Sequence, residues 1–143
     1  MNKLLALNKK FYWLFLFGLL LSCKPMIALY DQYAFTQATS LKVDMQNLAL
    51  ESDSVSYDAA KPDIDKVNVE LQKAYEYNKG RDLNSLSTKQ YEILVSETQF
   101  YKSFLNNWKT KGKENETVAQ DASEKIGQLL DKVIQLENGK NKQ

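Results

Sequence analysis

Between residues 26 and 139 the apolar side chains recur at steps of three, four or seven, in four separate stretches. That spacing places them on one face of an α-helix with 3.6 residues per turn. Strands are disfavoured, because β-branched residues are thin and apolar–polar alternation is poor. The first stretch runs from Met26 to about Glu51 without proline or glycine, with Ile27, Tyr30, Ala34, Leu41, Met45 and Leu48 on its stripe. Residues 51–61 mix serine and aspartate and read as a loop. Pro62 fits the first position of a second helix, where its missing N–H is harmless, and Asp63 and Asp65 suit that helix's positive N-terminal dipole. Ile64, Val67, Leu71, Ala74, Tyr75 and Asn78 continue the spacing, and Gly80 marks the end.

A third helix is expected from a capping box at Ser87, with Gln90 three residues on and Leu86 and Tyr91 placed as a hydrophobic staple. It carries Tyr91, Leu94, Val95, Thr98, Tyr101, Leu105 and Trp108, and Lys109, Lys111 and Gly112 close it. The fourth stripe is Val118, Ala122, Ile126, Leu129, Val133 and Leu136, ending at Gly139, with Gly127 inside it as a point of close helix approach. Four apolar stripes with short connections predict an all-α protein, an antiparallel up-down bundle of four helices. The alternative is a three-helix core with residues 26–51 standing off as a stalk.

Composition narrows the function. The 143 residues contain no histidine and a single cysteine. This excludes a Ser-His-Asp triad, a Cys-His dyad, a His-ligated metal and an internal disulfide. The carboxylate pairs Glu51/Asp53, Asp63/Asp65 and Glu114/Glu116 sit two residues apart, so on a helix they point away from each other. No calcium-loop or phosphate-loop pattern is present. The expectation is a non-enzyme with no cofactor and no metal.

The N-terminus reads as an address. Lys3, Lys9 and Lys10 precede an uncharged run over residues 11–21, FYWLFLFGLLL, followed by Ser22, Cys23, Lys24 and Pro25. A basic region, a short apolar region and a small residue before a cut site form a secretory signal. The run is about half the roughly 20 residues a membrane span needs. Leu20-Leu21-Ser22-Cys23 resembles the bacterial lipobox. The resemblance implies cleavage between Ser22 and Cys23, acylation of Cys23, and anchoring of the chain to membrane lipid. It divides the chain into a signal peptide, residues 1–22, and one helical domain, residues 23–143. Lys24 after the cysteine is similar to outer-membrane forms, and the lack of an acidic residue before Asp31 favours a periplasmic face. Without residues 1–22 the chain keeps 16 basic and 18 acidic side chains, a balance that offers no footprint for nucleic acid.

Aromatic residues supply the remaining candidates. Tyr33, Tyr57 and Tyr77 fall off the stripes, and Phe35, Phe100 and Phe104 fall partly off them. They either widen the core or form a partner surface. Tyr33, Tyr77, Phe104 and Trp108 are the candidate contact residues. Trp108 with Lys109, Lys111 and Lys113 is either a capped helix end or a contact for anionic headgroups or glycan. Asp53-Ser54-Val55 resembles the O-glycosylation sites of exported proteins in Bacteroidetes-type bacteria, which points to Ser54. The chain as a whole, in segments such as YDQYAFTQATSLKVD, resembles small helical envelope lipoproteins of those bacteria. The expected role is an accessory or scaffold binding another envelope protein. The alternatives are a ligand- or glycan-binding module with a pocket lined by tyrosine and Trp108, and an immunity or exclusion lipoprotein.

Overall fold

The computed structural model describes residues 27–96 and 99–141. These residues form an all-α bundle of five helical segments: α1 Gln32–Glu51, α2 Tyr57–Lys79, α3 Ser85–Val95, α4 Phe100–Lys111 and α5 Glu116–Lys140. α3 and α4 follow one another along the same side of the bundle, so the described residues make four rods. α1 packs on α5 and α2, while α3 closes the ring between α2 and α5. Neighbouring rods run antiparallel. Lys42 reaches Asp131, Tyr33 meets Tyr77 edge-on, and Lys125 of α5 lies over Phe100. The expected bundle is therefore present, and α1 packs along α5 rather than standing off as a stalk.

Side-chain oxygens start three of the helices. Asp31 accepts from the Ala34 amide at 3.0 Å, Ser56 from Ala59 at 3.4 Å, and Asn115 from Val118 at 2.9 Å. Each satisfies one of the amides that a first turn leaves without a partner. These caps move two expected boundaries. α1 begins at Gln32 rather than Met26, and α2 begins at Tyr57 rather than Pro62, so Pro62 lies inside α2 on its exposed side. The capping box at Ser87 does not form. α3 starts at Ser85, and the Ser87 hydroxyl is buried without a hydrogen bond among the described residues. The expected third helix is divided. Ser96 leaves α3 in an extended conformation with ψ 131°, where serine can bond to local backbone instead of continuing the helix.

The core is filled by Met45, Ile64, Leu71, Leu94, Ile126 and Leu130, with the rings of Tyr91, Tyr101 and Trp108 among them. Trp108 is fully enclosed. Its indole N–H donates to the Val55 carbonyl at 3.1 Å, and Tyr57 meets it edge-on at 5.7 Å. Truncating a ring in this position costs about 3–5 kcal/mol. Gly112 ends α4 with φ 84°, a conformation that favours glycine. Its carbonyl accepts from Tyr57 and the Glu114 amide donates to Ser52, which ties this end of the bundle together. At the opposite end Leu83 stands at φ 59°, costing about 1 kcal/mol for a residue with a side chain. Its carbonyl accepts from the Ala28 amide at 3.2 Å, which fastens the chain arriving from the N-terminus.

Candidate functional site

The densest polar arrangement lies at that N-terminal end. On α5 the buried stripe Ile126, Leu130, Val133 continues at the same steps into Glu137 and Lys140, so two charged residues occupy core positions. The Glu137 side chain is 1% exposed. Its Oε1 accepts from the Asp31 amide at 2.7 Å and from Arg81 at 3.2 Å. Its Oε2 accepts from Arg81 at 3.2 Å and from the Lys140 ammonium. Arg81 also donates to the Leu29 carbonyl at 2.6 Å and lies 3.7 Å from the Asp31 carboxylate. Lys140 donates to Asn84 at 2.6 Å, and Asn84 donates to buried Asn78 at 2.8 Å. Two cations and two carboxylates thus balance in one cluster. Both Glu137 oxygens are committed to donors of the chain itself, an arrangement that fastens the elements to one another.

Tyr77 carries the cluster to the surface. Its hydroxyl donates to Asp31 Oδ2. Partial burial pushes the Asp31 pKa up, but Tyr77, the Ala34 amide and the Arg81 charge together hold it below the usual carboxylate range. The Tyr77 pKa is raised, first by that same hydrogen bond and then by desolvation. Tyr33 packs edge-on against Tyr77 with ring centroids 4.8 Å apart. The two rings remain 56% and 37% exposed. Beside Tyr33 an open groove of about 360 Å³ runs between α1 and α2, lined by Thr36, Ser40, Asp44, Lys66 and Glu70 among others.

Of the four candidate contact residues, the structure brings Tyr33 and Tyr77 together on the surface. Phe104 and Trp108 are buried, which corrects their placement on a contact face. α4 is short and amphipathic, and its apolar face turns inward, so both rings are core. The expected pocket lined by Trp108 is filled by that packing. Lys109 lies over the Tyr57 ring at 6.0 Å, and Gly112 caps the helix end beside Trp108. Ser54 is exposed in the turn after α1, with its hydroxyl donating to the Glu51 carbonyl at 3.3 Å. Ser22 and Cys23 lie outside the described residues. Among the described residues no group of three or more metal-ligating side chains comes together, and no helix is long and apolar enough to cross a membrane. No protein-family model, curated protein or solved structure matches the chain.

Sequence reasoning missed Glu137, Lys140 and Arg81. A signal was present for the first two. The expected stripe goes from Val133 to Leu136, which is only half-buried, whereas the buried one steps by four and three from Val133 into Glu137 and Lys140, and charged residues at core positions are buried only when paired. Arg81, in a loop, gave no such signal.

Proposed function

We propose that the chain is a non-catalytic, membrane-anchored envelope lipoprotein, attached to outer-membrane lipid through an acylated Cys23 and facing the periplasm. In this reading it acts as an accessory or scaffold that binds another envelope protein through its helical surface. The observation that carries the binding role is the Tyr33–Tyr77 pair. Two half-exposed tyrosines, packed edge-on, sit next to a groove, and rigid aromatic rings of that kind anchor protein interfaces. The internal hydrogen bond from Tyr77 to Asp31 holds the pair in place before any partner arrives, which lowers the ordering cost of binding.

The test is a cross-linked capture from the native envelope, comparing the wild-type chain with Tyr33→Ala at equal abundance. A single partner recovered near one-to-one with the wild type, and depleted by about tenfold with the variant, supports the reading. Equal recovery with both removes the tyrosine surface. A protein of unaltered mass at Cys23 removes the anchor. Glycan binding is the second reading, favoured by the groove itself, where Tyr33 stands beside Asp44, Lys66 and Glu70. A ring for stacking with hydroxyl and charged groups around it suits a sugar. Titration with envelope oligosaccharides, read by the Tyr33 ring resonances, separates the two.

A further inference from the structure

We infer that the end of the bundle formed by the α2–α3 loop and the chain before α1 rests on the bilayer surface, with Leu29, Leu83 and Leu86 in contact with the headgroup–acyl boundary. The inference rests on the anchor reading above and adds an orientation to it. Three observations carry it. The first is exposure: these leucines are 75%, 54% and 55% exposed, at one end, while the other exposed aliphatics, Val43, Leu50 and Val69, are scattered along α1 and α2. The second is conformation. Leu83 occupies the left-handed region at φ 59°, where asparagine or glycine would be less strained. The backbone of Leu83 serves the fold by holding the Ala28 amide, but its exposed side chain gains nothing in water, and strained residues gather at working surfaces. The third is where the chain leads. Leu83 holds the Ala28 amide, and Arg81 holds the Leu29 carbonyl. Cys23 is four positions before Ile27, so a lipid on Cys23 sits within about 14 Å of this end even if the chain is fully extended.

The depression shared by Ile27, Leu83, Leu86 and Leu136 measures about 30 Å³. That is too small for a ligand of ordinary size, so the occupant is a surface rather than a molecule in a pocket. The opposite end is polar. It carries Glu51, Asp53, Asp58, Lys109 and Lys111, all exposed, and it faces away from the membrane in this placement.

The test uses the acylated chain, cleaved before Cys23, in phosphatidylethanolamine–phosphatidylglycerol vesicles with and without brominated lipid. Tryptophan is introduced singly as Leu29→Trp, Leu86→Trp and Leu50→Trp. Each is read as the difference from the unsubstituted acylated chain, which keeps Trp108 once residues 1–22 are removed. Leu50 is the control, about 27 Å from the start of α1 along its axis. If the end rests at the boundary, bromine roughly halves the added emission at positions 29 and 86 and leaves that at 50 unchanged. Equal quenching at all three, or none at 29 and 86 while the chain still floats with the vesicles, overturns the placement and leaves the anchor standing. In that case the leucines await a protein partner. A chain that does not float with the vesicles overturns both. The unsubstituted chain gives an independent reading. Amides of residues 82–86 exchange more slowly on vesicles than in detergent and those of residues 52–55 do not, and the reverse pattern refutes the orientation.

Discussion

A phenol oxygen sealed inside an apolar core loses its hydration, and the loss is recovered only through a hydrogen bond. Tyr91 and Tyr101 are fully buried, and neither hydroxyl has a hydrogen-bond partner among the described residues. Burial pushes both phenols well above their usual pKa, so both stay neutral across the physiological range. Their rings fill the space between the rods, and their oxygens contribute nothing to stability. Tyr91→Phe and Tyr101→Phe are therefore expected to leave stability unchanged or raise it by up to about 1 kcal/mol each. Urea denaturation midpoints at constant slope would show it. A loss of more than about 1 kcal/mol would mean that the hydroxyl is satisfied and the ring alone does not explain the site. Both tyrosines lie on the third apolar stripe, so their burial was legible in the sequence. Their unsatisfied oxygens were not, because partners are a property of the packed core.

Between elements, the α1–α5 contact depends on the absence of a side chain. A Cβ on Gly127 would lie 2.6 Å from Gln46 Nε2, and that amide donates to the Ser123 carbonyl at 3.2 Å. Gly127→Ala alone gains about 1 kcal/mol of helix propensity and displaces a hydrogen bond of similar worth, so little net change is expected. In a Gln46→Ala background the bond is already gone, and adding Gly127→Ala should then stabilise by about 1 kcal/mol. A double-mutant cycle measures the difference. The α1–α2 contact is tied by Tyr77 and Asp31, and its pH dependence follows from the two shifts. Asp31 is depressed below its ordinary 3.8, so its contribution is present above that pH and is lost as pH falls through the lower folded value. Tyr77 is raised above its ordinary 10.0, so its contribution is present below that pH and is lost as pH rises through the higher folded value. Tyr77→Phe should cost about 1 kcal/mol at pH 7 and should cost less at both extremes, measured as urea midpoints against pH. A penalty that stays constant from pH 2 to pH 11 would show that the bond is not what ties the helices. The break between α3 and α4 explains what periodicity can hide. Tyr91, Leu94, Tyr101, Leu105 and Trp108 keep helical steps, and the seven-residue step from Leu94 to Tyr101 spans the interruption without disturbing the pattern. The start of α2 was misread for a related reason. A proline at residue 62 suits a first turn, but Ser56 supplies a better cap six residues before it, so the helix starts five residues early at Tyr57.

At the scale of the whole molecule, the four rods are closed at opposite ends by different means. One end is held by Trp108 and backbone bonds around Gly112. The other is held by the cluster of Glu137, Arg81, Lys140 and Asp31, which joins the chain before α1, the end of α2, the loop before α3 and the last turn of α5. In the first closure Trp108 lies on the third apolar stripe, which signals its burial, but the backbone bonds around Gly112 join residues distant in sequence and have no local signal. The second required residues 31, 81, 137 and 140 to meet, a long-range coincidence that no local pattern encodes. The cluster is electrically balanced, which is the condition for burying charge at tolerable cost. Removing one member should therefore be far worse than removing an opposite pair. Glu137→Ala leaves Arg81 and Lys140 facing Asp31 alone and should lose about 3–5 kcal/mol. Glu137→Met with Lys140→Met leaves Arg81 paired with Asp31, fills the space with apolar volume, and should recover at least half of that loss. Denaturation of the three proteins in urea decides the matter. A Glu137→Ala penalty below about 1 kcal/mol would place this end of the bundle in water rather than in the core. A double variant no better than the single would show that the hydrogen bonds to the Asp31 amide and Asn84, not the balance of charge, hold the four rods together where the chain arrives from its N-terminus.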